Sequence, residues 1–236
     1  MPSRLRAAVT GILVAAVLAM LALTIALPAG ATGPDPTIRI LALGDSLTAG
    51  FGLPQEDAFP AQLERALRRT GHDVAVIDAG VSGDTTAGGL ARLEWALGSV
   101  EDGDPDAAIV ALGANDGLRG FEPEETFANL DAILSELAQR DIKVLLAGML
   151  APPNLGRAYG AEFEAVYRRL AERHDVVLYP FLLDGVAARP ELNQADGIHP
   201  NADGVAVMVE RILPSVEALL ARAGGTASAD QARGAR

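Results

Sequence analysis

Cysteine is absent from the 236 residues, which removes disulfides, thiolate metal sites, iron–sulfur clusters, a cysteine nucleophile and a lipidated N-terminal cysteine. Histidine is nearly as scarce. His72, His174 and His199 lie far apart in the chain, which argues against a metal site built on imidazoles, and no metal is expected. Basic charge is short too, with 19 Lys and Arg against 31 Asp and Glu for a net −12, and aromatics make up 4%. Neither the electrostatic footprint nor the stacking groups of a nucleic-acid-binding surface are there. No G-x-G-x-x-G follows a strand and no G-K-[ST] occurs, so the phosphate cradles of nucleotide enzymes are missing and no cofactor is expected. Serine and carboxylates are left to carry any chemistry.

Apolar residues make up half of the chain, an ordinary globular proportion, and one large domain of this size buries roughly 70% of its unfolded surface without staples. The first 31 residues read as a targeting segment. Arg4 and Arg6 precede an uncharged stretch over 7–27, and Ala29-Gly30-Ala31 supplies the small-x-small pattern of a signal-peptidase site. That stretch is also long enough to span a bilayer, so the alternatives are a cleaved signal peptide and an N-terminal membrane anchor. Both predict export, to the periplasm or beyond. Residues 32–222 read as the working domain, of monomeric size, and 223–236 as a disordered tail.

Within the domain, strand and helix alternate. Apolar runs predict strands at 38–43, 74–77, 107–112, 144–147 and 176–179, and the third is apolar throughout, as suits a parallel strand covered on both faces. Helical spacing links Phe59, Leu63 and Leu67, then Leu90, Leu93 and Leu97. It recurs over 123–140, at Tyr159, Phe163, Val166 and Leu170, and from Val205 to Leu219 with Pro214 expected to kink the last helix. Five such units predict an α/β fold, a three-layer α/β/α sandwich around a five-stranded parallel sheet.

In that architecture function collects in the loops at the carboxyl ends of the strands. Those loops hold Gly44-Asp45-Ser46-Leu47, Ser82-Gly83-Asp84-Thr85, Gly113-Ala114-Asn115-Asp116 and Asp196-Gly197-Ile198-His199. A serine acts as nucleophile when a base takes its proton and a third group orients the base. Ser46 directly follows a strand, and His199 is the one histidine on a carboxyl-end loop. Asp196 is three residues away from it, with Asp45 and Asp116 as rival carboxylates. The backbone N–H groups of Ser46 and Gly83 and the Asn115 carboxamide are candidate oxyanion donors. The plainer readings are a helix cap for Ser46, a packed loop histidine, a turn glycine and a backbone-capping asparagine. Asn154, Arg157 and Tyr159 read either as acyl-groove lining or as plain surface.

The four blocks, in that order and in those loops, resemble the defining blocks of the GDSL or SGNH hydrolases. GLARL (89–93), NDGLRGF (115–121) and NLGRAYG (154–160) are similar to the multifunctional thioesterase, protease and lysophospholipase branch of that family. The resemblance covers 38 to about 220. It implies a flavodoxin-like fold, a Ser46–His199–Asp196 triad, an oxyanion hole of Ser46, Gly83 and Asn115, and activity on aryl esters, acyl thioesters and lysophospholipids. Its alternatives are a carbohydrate O-acetylesterase and a catalytically silent binding module.

Overall fold

The computed structural model describes residues 37–101 and 103–234, with side chains to 224. The expected leader over 1–31 lies outside the described residues. Five parallel strands, β1 (Ile38–Gly44), β2 (Val74–Gly80), β3 (Ala107–Ala111), β4 (Lys143–Ala147) and β5 (Val177–Tyr179), form one sheet in the order β2-β1-β3-β4-β5. Every residue of β3 is buried, as its apolar run predicts, and from Ile40 β1 is buried too.

The helices are α1 (Ser46–Ala49), α2 (Phe59–Arg69), α3 (Thr86–Ala91), α4 (Leu93–Leu97), α5 (Ala114–Arg119), α6 (Pro123–Gln139), α7 (Arg157–His174) and α8 (Ala202–Gly234). Helices α2 and α8 pack together against the sheet, while α3, α6 and α7 form a second layer, giving the expected sandwich. Leu63, Leu67, Ile109, Leu130, Ile133, Phe163 and Ile212 fill the two interfaces and are fully buried. Fully burying each such side chain is worth roughly 1.5–3 kcal/mol.

Two elements differ from the sequence reading. The helix expected through Leu90, Leu93 and Leu97 is two short helices meeting at Arg92, whose φ of −108° breaks the helical path. Arg92 is held there by its guanidinium, which donates to the Gly44 carbonyl and pairs with Asp84. The irregular tail expected from residue 223 is instead helical backbone to Gly234, and Ala223 is still part of the core.

Sheet order sets the location of the site. The chain leaves β1 toward β2 on one side and returns to β3 on the other, so a crevice opens beyond the carboxyl ends of β1 and β3. Gly113, between β3 and α5, has φ 114°, and a Cβ there would lie 2.1 Å from the Tyr167 hydroxyl, so the turn into α5 needs glycine.

Candidate active site

Strand β1 stops at Gly44, and Asp45 caps the single turn α1 by accepting the Leu47 N–H at 2.9 Å on Oδ1. Ser46 is the first residue of that turn and is half-buried at the crevice. Its Oγ lies 2.9 Å from His199 Nε2, although 153 residues separate them in sequence. On the other side of the ring, His199 Nδ1 is 2.7 Å from Asp196 Oδ2. Asp196 Oδ1 accepts the backbone N–H groups of Ile198 and His199, both at 3.0 Å, which folds 196–199 into a tight turn. These contacts, the His199 side chain first, hold the Asp196 carboxyl down at about 2, so it stays ionised across the neutral range.

Two further contacts fix the imidazole. Phe51 packs on its face, ring centroids 4.6 Å apart. The Gln194 amide donates to the Phe51 and Pro200 carbonyls at 2.7 and 2.9 Å, tying the histidine loop to the end of the serine turn.

Opposite lie the candidate oxyanion donors. Gly83 has φ 87°, a left-handed conformation suited to glycine, and its carbonyl accepts from Arg119 at 3.1 Å. Asn115 stands in the first turn of α5, and its Nδ2 donates to the Asp84 carbonyl at 2.8 Å. The Asp84–Arg92 pair, 2.5 Å apart and mostly buried, braces that loop from behind. All five residues singled out from the sequence therefore meet in one crevice.

Residues 42–207 match the GDSL-like Lipase/Acylhydrolase family. The chain belongs to that family. It is 42% identical over 165 residues to an arylesterase from Vibrio mimicus, covering 70% of this chain and 81% of the relative. It is 41% identical over 164 residues to the thioesterase 1/protease 1/lysophospholipase L1 of Escherichia coli, covering 70% and 76%. The crystal structure of AlinE4, an SGNH-hydrolase family esterase, superimposes with a TM-score of 0.66 at 50% identity, over 78% of this chain and 97% of that one. This chain is likewise a GDSL-type hydrolase.

In this GDSL hydrolase Ser46 and His199 line a cavity of about 620 Å³, with Asp196 behind the imidazole. Its apolar lining comes from Phe51, Leu118 and Ile198 near the triad and from Met149 to Pro153, Phe181 and Leu183 in the loops after β4 and β5. No Lys, Arg, Asp or Glu is among the described residues lining it. Sequence reasoning missed the part of the lining that comes from the loops after β4 and β5, because those loops carry no motif, whereas Phe51, Leu118 and Ile198 lie in or beside the motif blocks. Their signal was only composition, in Met149-Leu150-Ala151-Pro152-Pro153 and Phe181-Leu182-Leu183.

Asn154, Arg157 and Tyr159 are not part of the lining; Asn154 and Arg157 are exposed surface, whereas Tyr159 is half-buried against the core. Tyr159 stacks on Phe163 and donates to the Phe121 carbonyl at 2.6 Å, which holds the end of the α5 loop. Of the rival carboxylates, Asp116 is buried and accepts the Thr86 N–H at 2.9 Å and the Thr86 hydroxyl at 2.5 Å, tying α3 to α5. Asp45 faces Leu47 and Asn115 and makes no hydrogen bond to the imidazole; burial, the largest influence on it, pushes its carboxyl up to about 6. His174 lies against Asp131 at the end of α7, where the chain enters β5, away from the crevice. Among the described residues no cluster of His, Asp and Glu is arranged to hold a metal ion.

Proposed function

We propose that the chain hydrolyses carboxylic esters and thioesters, among them aryl esters, acyl-CoA and lysophospholipids, with Ser46 as nucleophile. The observation that carries this reading is the chain of contacts from Ser46 Oγ through His199 to Asp196, at 2.9 and 2.7 Å, opening on an uncharged apolar cavity. The acyl chain lies along the apolar walls with its carbonyl at Ser46. Ser46 Oγ attacks the carbonyl carbon as its proton passes to His199 Nε2, and Asp196 stabilises the resulting imidazolium. The backbone N–H groups of Ser46 and Gly83 and the Asn115 carboxamide receive the oxyanion. The C–O or C–S bond then breaks, and His199 returns the proton to the departing alcohol or thiol. Water repeats the sequence on the acyl-enzyme and releases the acid.

Ser46→Ala tests the assignment. It is expected to lose at least ~10³-fold in kcat on p-nitrophenyl esters with the fold intact, and a serine-directed phosphonate is expected to label Ser46 alone. A variant keeping a tenth of the activity would refute it. A panel of p-nitrophenyl esters from C2 to C16, an acyl-CoA and a lysophospholipid ranks the substrates. Arg4, Arg6, the uncharged run after them and Ala29-Gly30-Ala31 support export with cleavage before Thr32. N-terminal sequencing of the protein from its host checks this, and an intact start with activity in the membrane fraction favours the anchor instead.

A further inference from the structure

Asn115 Nδ2 has two hydrogens, and each already faces an acceptor. One goes to the Asp84 carbonyl at 2.8 Å. The other faces Asp45 Oδ2 at 3.4 Å, long for a hydrogen bond. An oxyanion bound by this carboxamide must take over one of the two, and the long contact is the weaker. The second oxygen of the same carboxylate, Oδ1, caps the turn that carries Ser46. Asp45 thus touches the nucleophile's turn and the oxyanion's donor at once.

Capping alone does not account for an aspartate here. Asn or Ser caps a turn as well as Asp, without a charge. Asp45 is 1% exposed, and its hydrogen-bond partners among the described residues are both uncharged, so its ionised form is costly to bury. The titratable groups that face it are Asp116 on α5 and His199, while the Arg92 guanidinium is engaged by Asp84 and the neighbouring Gly44 carbonyl.

We propose that Asp45 is a positioning residue of the ester-cleaving site, whose carboxylate holds the Asn115 carboxamide beside the Ser46 turn until the oxyanion displaces it. The proposal rests on the oxyanion role given to Asn115 above. Asp45 acts only while ionised. Because burial places that ionisation near 6, the acid limb of kcat in the wild type contains it in addition to that of the base.

A double-mutant cycle on a p-nitrophenyl ester tests this, with Asp45→Asn, Asp45→Ser, Asn115→Ala and the combined Asp45→Asn/Asn115→Ala variant. Asp45→Ser keeps a cap and removes the contact with Asn115, so it substitutes for Asp45→Asn if that variant folds poorly. Each Asp45 variant is expected to lose about ten- to a hundredfold in kcat with KM nearly unchanged, and to titrate with one ionisation fewer on the acid side. In the Asn115→Ala background the same change is expected to cost less than about twofold, because a residue acting through another has nothing left to position. Equal losses in both backgrounds, or no loss at all, overturn the proposal and leave the oxyanion reading standing. Full kcat in Asn115→Ala alone overturns both.

Discussion

Asp45→Asn is expected to make the protein more stable at pH 8 and not at pH 4. Burial raises the Asp45 carboxyl from 3.8 to about 6, so the native state binds that proton more tightly than the unfolded chain does. The sign follows by linkage: the group's contribution is fully present below about pH 4 and is lost as pH rises through about 6. At about 1.4 kcal/mol per pKa unit the loss amounts to ~3 kcal/mol, with little discount for solvent because the side chain is buried. An asparagine keeps the shape and the cap but carries no charge to bury. Against the gain stands the donor that Asn would turn toward Asn115 Nδ2, a mismatch costing on the order of 1 kcal/mol. A net gain of about 2 kcal/mol at pH 8 remains, or roughly 4–8 °C in Tm for a domain of this size. Thermal unfolding followed by circular dichroism at pH 4 and pH 8 measures it. A shift of the same size and sign at both pH values would show that Asp45 is not a buried charge in the folded protein, and the reasoning would fail. The expected pairing is a variant more stable and less active than the wild type.

Asp196→Asn is expected to lower kcat far more than any change at Asp116, since an asparagine favours the wrong His199 tautomer; the acid limb of the wild type should show no contribution from Asp196, which is ionised down to about pH 2. Equal losses at the two positions, in folded variants, would contradict the Asp196 assignment. Asp116→Ala strips the Thr86 N–H and hydroxyl of their buried acceptor and is expected to cost on the order of 3 kcal/mol in a urea titration, with KM for a short ester little changed.

The sheet was legible because each strand is a short apolar run ended by glycine or a polar turn, and because alternation with helices admits few parallel topologies. Ser46, Asp196, His199, Gly83 and Asn115 could be brought to one crevice for the same reason: all five follow strands whose order is dictated by that alternation. Part of the cavity lining was not legible. The apolar residues that the loops after β4 and β5 contribute have no period and no polar landmark, and only the packing of those loops brings them to the cavity. The break at Arg92 depended on a partner, Asp84, in another loop, and no local propensity announces it. The state of Asn115 was hidden too: the residue could be named as a donor, but not that Asp84 and Asp45 already engage its two hydrogens.

The uncharged cavity also bears on how a catalytic cycle ends. An ester or thioester enters without ionic groups at its acyl end and suits walls that carry no Lys or Arg among the described residues. Hydrolysis turns that end into a carboxylate, formed where no guanidinium or ammonium among the described residues lines the wall. Desolvating an anion there is unfavourable. The reaction thus converts a ligand that suits the cavity into one that suits it less, and the free acid is expected to be a weaker competitive inhibitor than an uncharged ester analogue in steady-state assays at neutral pH.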